Sequence, residues 1–197
     1  MVGPADARLF RWQLVTGAAL LVGYGGYYLC RSNLSVVVPA LLADPTAGVD
    51  RTSIGLISSA GIVAYAAGKS ITGIAGDFLG GRTLFLGGLF LSVAATLAFS
   101  ASSGLPLFLI CWMVNRFVQS AGWSGLTKTA AHWYPARRYG TVMSLLSLSF
   151  LFGDAAGRYV LGGLLMGGTT WRGVFLVAAV ALGVIGVFDL VLLRSSP

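Results

Sequence analysis

The stretch "GYGGYYLCRSNLSVVVPALL", residues 23–42, carries one arginine inside an otherwise apolar run. How Arg31 is read decides the fold. A helix that stopped at Leu29 would leave Arg31 at a membrane interface with its charged head in water, as arginines near helix ends commonly sit. The apolar text instead continues through "NLSVVVPALL" for more than two turns before Asp44-Pro45 signals a loop. One helix over 12–42 would be about 45 Å long at 1.5 Å per residue. Tyr24, Tyr27 or Tyr28, Arg31 and Ser35 also recur at helical spacing along one face. The reading favoured is an arginine inside a bundle.

Composition sets the frame around that stretch. Of 197 residues, 56% are hydrophobic and 10% charged, where a soluble domain would carry about a quarter charged residues. Mean hydropathy is +0.84. The apolar residues come in blocks of about twenty, the length of a helix that crosses a bilayer. Short segments of strict alternation, the mark of outer-membrane strands, do not occur. The chain reads as an all-α polytopic membrane protein, and its 28 glycines suit helices whose backbones approach closely. With one histidine (His132) and no glutamate, neither a metal site, a cofactor nor an enzymatic centre is expected. Cys30 and Cys111 lie in apolar runs and read as reduced. "MVGPADARLFRW" lacks the features of a cleaved leader and is expected to precede a retained first span.

Six transmembrane helices are predicted at about 12–42, 53–75, 83–101, 105–131, 139–165 and 171–193, with residues 1–11 before them and 194–197 after. Arg8, Arg11, Arg82, Arg137, Arg138 and Arg194 then fall on one side, and only Arg51 and Arg172 on the other. The positive-inside rule makes both termini cytoplasmic. The remaining basic residues, Arg31, Lys69, Arg116, Lys128 and Arg158, lie within the first, second, fourth and fifth spans, where Asp154 is the acid available to them. Charge in a bilayer faces a bundle interior or an aqueous cavity. Those four spans should therefore line a space that attracts anions, with the third and sixth outside as support. Asp154 and Arg158, four apart, can pair on their own helix. Lys128, near a helix end, could equally snorkel to the interface.

Two stretches carry a family resemblance. "GIAGDFLGGR", residues 73–82, resembles the signature between the second and third helices of the major facilitator superfamily, with Gly73, Asp77, Gly80 and Arg82 in place. "NRFVQSAG", residues 115–122, is similar to the helix-four signature of that superfamily, with Arg116 and Gln119 matching and Ser120 in a glycine position. Within the superfamily, "GYGGYYLCRSNLSVVVPALL", "AYAAGKSITGIAGD" and "QSAGWSGLTKTAAHWY" are similar to stretches of the organophosphate:phosphate antiporters, which include glycerol-phosphate and hexose-phosphate carriers.

The resemblance implies the N-terminal six-helix half of a secondary carrier that exchanges an organic phosphate or similar organic anion for inorganic phosphate by alternating access. It implies Arg31 as phosphate ligand and Lys69 as a supporting cation. Tyr24, Tyr28, Tyr65 and Trp123 would be cavity contacts, and Ser149 stands where the glycerol-phosphate carriers have a histidine. Gly73, Asp77, Gly80, Arg82, Arg116 and Gln119 would belong to gating signatures, and Asp154 with Arg158 could couple an ion. Gly68 and Ser124-Gly125 depart from the family pattern, as do the charges of Arg116 and Asp154. The implied partners are the bilayer of the inner cell membrane, substrate, phosphate, and a second six-helix half or a homodimeric copy, with no nucleic acid. A membrane sensor of sugar phosphate and a proton-coupled carrier of another substrate are the alternatives.

Overall fold

The computed structural model describes residues 4–196. They form seven α-helices: α1 (Pro4–Tyr27), α2 (Leu29–Ala43), α3 (Arg51–Leu79), α4 (Gly81–Ala101), α5 (Leu105–Trp133), α6 (Ala136–Met166) and α7 (Trp171–Leu192). A single 3-10 turn, Pro45–Ala47, follows α2. No strand occurs among the described residues.

The helix expected over 12–42 is thus two segments, and it begins at Pro4 rather than near residue 12. The break is slight. Tyr28 keeps right-handed helical angles (φ −71°, ψ −20°), but its N–H bonds to Gly25 O at 3.0 Å and Arg31 N–H to Tyr28 O at 3.2 Å, both three residues back. Such a tightened 3-10 turn inside an α-helix marks a local change of pitch. The other boundaries lie within four residues of expectation. Asp50 starts α3 two residues early by accepting from Ser53 N–H at 2.8 Å, an N-cap that satisfies an orphan donor. At its far end Gly80 has φ 77° and ψ 154°, a positive-φ conformation open to glycine, so α4 can begin at the next residue.

Side-chain periodicity explains how the rods assemble. α4 and α5 approach closely: a Cβ added to Gly125 would lie 2.5 Å from Phe85 N. The hydroxyl of Tyr27, fully buried, donates to Phe85 O at 2.6 Å and pins α1 to α4. At the opposite end Phe99 stacks on Phe108 and Phe175, each at 4.6 Å between centroids, and Trp171 Nε1 donates to Asp44 Oδ2 at 2.7 Å. Large apolar side chains such as Val63, Phe152 and Phe188 are exposed on the surface, as in a bundle solvated by lipid. α3, α4, α6 and α7 are each long and apolar enough to cross a membrane.

Candidate functional site

Arg31 stands in the first turn of α2, just past the tightened turn. Its Nε donates to Gln119 Oε1 at 3.0 Å and its Nη1 to the hydroxyl of Tyr28 at 3.1 Å. Nη2 is buried and has no acceptor among the described residues. A guanidinium has five N–H groups in a fixed fork, so two tethers fix its plane and leave the remaining nitrogen aimed.

The tether on α5 is itself held. Gln119 is fully buried, and its Nε2 lies within bonding distance of Cys30 O (3.1 Å), Ser92 Oγ (3.0 Å) and Asn115 Oδ1 (2.5 Å). Asn115 Nδ2 donates onward to Thr96 Oγ1 at 2.7 Å. A satisfied polar network of this kind fixes the rotamer of each member. It reaches from Ser92 and Thr96 of α4, both fully buried, to the arginine.

Aromatic rings surround the charge. The Arg31 guanidinium carbon lies 4.6 Å from the centre of the Tyr28 ring and 4.8 Å from that of Tyr65. Arg116 lies 5.1 Å from the same Tyr65 ring and Lys69 Nζ 5.6 Å from it, with Lys69 also 5.9 Å from Trp123. Trp123 packs on Tyr24 at 5.4 Å. Cations over aromatic faces gain roughly 0.5–2 kcal/mol each, which offsets part of the repulsion among three positive groups gathered around one ring.

Among the described residues the ion pairs are Lys128–Asp77 and Arg158–Asp154. Arg31, Lys69 and Arg116 therefore have no carboxylate partner there. A cleft of about 630 Å³ opens beside them, lined by Arg31, Arg116, Trp112, Ser58 and Phe150, with Asp154 and Arg158 on its far wall. Asp154 is occupied: it accepts from Arg158 Nε at 2.8 Å, and Arg158 Nη1 reaches Ser35 Oγ at 3.0 Å. What remains is a pocket of net positive charge with aromatic sides, chemically fit for a phosphate or carboxylate.

The structure thus brings together Tyr24, Tyr28, Arg31, Tyr65, Lys69, Arg116, Gln119 and Trp123. It keeps others apart. Ser149 is buried with its hydroxyl donated to Leu146 O on its own helix, at the seam where its carbonyl faces Gly25. Asp77, largely exposed, pairs with Lys128 rather than Arg82. Arg82 donates from Nε to Leu193 O at 2.7 Å and from Nη2 to Leu190 O at 2.8 Å. Gly80 has its positive φ, whereas a Cβ on Gly73 would meet nothing within 4 Å. Ser92, Thr96, Asn115 and Trp112 went unrecognised in the sequence. Asn115 lies four residues before Gln119, and Ser92 four before Thr96, each pair on one helical face and a local hint of the network.

With the helices and their charged cleft in place, comparison with known families is decisive. The model of the Major Facilitator Superfamily matches residues 20–197. The chain belongs to that superfamily. It is 30% identical to the glycerol-3-phosphate transporter of Bacillus subtilis over 98% of this chain and 44% of that protein. It is 29% identical to the hexose-6-phosphate:phosphate antiporter of Salmonella typhimurium over 77% of this chain and 34% of that protein. A membrane sensor protein of Escherichia coli, UhpC, is 26% identical over 98% of this chain and 43% of its own length. The chain spans less than half the length of these curated relatives. As a member of this superfamily built from apolar helices, it is a multi-pass membrane protein.

Proposed function

We propose that this major facilitator chain is one half of a secondary carrier for an organic phosphate or a similar organic anion, exchanging it for phosphate by alternating access. The observation that carries the reading is Arg31: two of its nitrogens are tethered by Gln119 and Tyr28, and the third is buried without an acceptor. Lys69 and Arg116 add charge without paired carboxylates among the described residues, and the names of the relatives point to phosphate esters. Six spans, cytoplasmic termini and an inner-membrane location complete the proposal, supported by the distribution of arginines between the two sides. The cleft is open on one side, where a second six-helix half or a second copy would close it. A transporter, rather than an enzyme, is the role such a half serves.

The test is uptake and binding of glycerol phosphate and hexose phosphate by wild type, Arg31→Ala, Arg31→Lys and Lys69→Ala, each assembled with its second half. Removing the charged partner of a desolvated anion costs about 3–5 kcal/mol, so Arg31→Ala should lose binding by about two to four orders of magnitude. Lysine, a point charge without the fork, should retain part of it. Wild-type affinity in Arg31→Ala would overturn the reading. The relation to a sensor favours one second reading, and binding that persists without counterflow would establish it.

A further inference from the structure

Away from the cleft, α1 and α7 enclose a furrow on the outer surface of the bundle. Its walls are apolar: Ala18, Val22, Ile185 and Phe188 line it, with Val15 and Leu192 where it meets the next hollow. The same Val15 and Leu192 form the floor of an adjoining hollow whose rim is Arg8, Arg11 and Trp12. The two hollows meet at Val15 and Leu192, one apolar along its length and the other basic at the α1 N-terminal end.

That basic end is built by helical spacing. Arg8, Arg11, Trp12 and Val15 follow the three- and four-residue steps of one face, while Asp6 is not part of the rim. Arg194 joins from just beyond the end of α7, its guanidinium carbon 3.7 Å from the centre of the Trp12 ring. The backbone there is fixed: Trp133 Nε1 donates to Arg194 O at 3.0 Å, and Gln13 Nε2 to Trp133 O at 2.8 Å. Asp189 also borders the furrow but is 2% exposed, its carboxyl filling the space beside Gly23. Negative charge is therefore turned inward, and the three arginines are left at the mouth without an ion pair among the described residues.

We infer that this furrow is a binding site for an anionic phospholipid of the leaflet in which α1 begins, with one acyl chain along the apolar groove and the phosphate among Arg8, Arg11 and Arg194. Charge complementarity selects this occupant. A neutral helix from another protein would leave the arginines unsatisfied, and a soluble anion would leave the furrow unfilled. Tryptophan and arginine at headgroup depth suit the boundary between hydrocarbon and water.

Native mass spectrometry of the purified chain, with phosphatidylglycerol or phosphatidylcholine added, tests this. Wild type should retain phosphatidylglycerol and show a larger rise in melting temperature with it than with phosphatidylcholine. Each arginine near a charged bilayer strengthens attachment about fivefold, so Arg8→Gln with Arg11→Gln should lower retention by at least about tenfold. Arg137→Gln with Arg138→Gln removes equal charge elsewhere and should change it less than twofold. Val15→Trp, which plugs the furrow, should lower retention while the arginines remain. Equal loss in both double variants would mean unspecific charge attraction and overturn the site. So would equal stabilisation of wild type by the two lipids, a measurement that needs no variant to fold.

Discussion

Gln119→Leu should weaken anion binding by acting through Arg31 alone. The substitution conserves bulk but removes the acceptor 3.0 Å from Arg31 Nε, leaving the guanidinium held only by the Tyr28 hydroxyl at 3.1 Å. An arginine side chain carries about 2 kcal/mol of rotamer entropy. If half to all of what Gln119 quenches must be lost again on binding, affinity falls by about 1–2 kcal/mol, or roughly five- to thirtyfold. The informative assay is a double-mutant cycle, measuring glycerol-phosphate binding by calorimetry for wild type, Gln119→Leu, Arg31→Ala and the double variant. With Arg31 absent, Gln119→Leu should change affinity less than about twofold, giving a coupling energy of about 1–2 kcal/mol, within the span seen for residues in contact. Stability should drop as well, because Cys30 O, Ser92 and Asn115 each lose a partner, so binding is measured well below the melting transition of every variant. An equal loss of affinity in both arginine backgrounds would refute the positioning role, since Gln119 would then act independently of Arg31.

Gly125→Ala should destabilise the chain by about 1–3 kcal/mol in thermal unfolding, because its new methyl would meet backbone atoms of α4 that cannot yield. Gly87→Ala, with nothing within 4 Å of its added Cβ, should instead be neutral or stabilising by up to about 1 kcal/mol. Single cysteines at Thr46 and Arg137, in a background without Cys30 and Cys111, should differ toward an impermeant maleimide: the first reacts from outside and the second does not, and the reverse would invert the orientation. The Asp50 carboxyl is held below the usual carboxylate range by its bonds to the Ser53 hydroxyl and N–H. Its capping contribution is therefore full above the ordinary aspartate pKa and is lost as pH falls through the lowered value. Hydrogen exchange in the first turn of α3 should accelerate over that acidic window in wild type and show no such pH step in Asp50→Ala.

Much of the scaffold was legible because apolar length and 3.6-residue periodicity are local properties. Arg31, Arg116, Asp154 and Arg158, on α2, α5 and α6, line one cleft, whereas Lys128 turns away to Asp77. Arg31 proves to be an interior residue with one nitrogen buried, as the apolar text beyond it suggested. Helical spacing alone left Tyr27 and Tyr28 open, and the resemblance pointed to Tyr28; in the structure Tyr27 is sealed against Phe85 and Tyr28 faces Arg31. The Ser92–Thr96–Asn115–Gln119 network was invisible because its members are polar residues of unremarkable type, joined only when α4 packs on α5. Lys128 found Asp77, fifty-one residues away, a pairing that spacing along a single helix does not reveal. Ser149 came from aligned position alone, and position in a sequence does not say which way a hydroxyl turns.

Arg82 shows what it means for a side chain to be ordered before it is used. Two of its nitrogens are bonded to carbonyls in the final turn of α7 and just beyond it, groups that a helix end leaves short of donors. A guanidinium offers five N–H groups, so three remain after those bonds are made, and they lie in a plane already set. The freedom that an arginine would surrender on meeting an acceptor, about 2 kcal/mol when fully mobile, has largely been surrendered during folding. An incoming carboxylate or helix end would meet donors of preset direction. It would also leave α7 sealed, because association draws on unused hydrogens instead of displacing those in service.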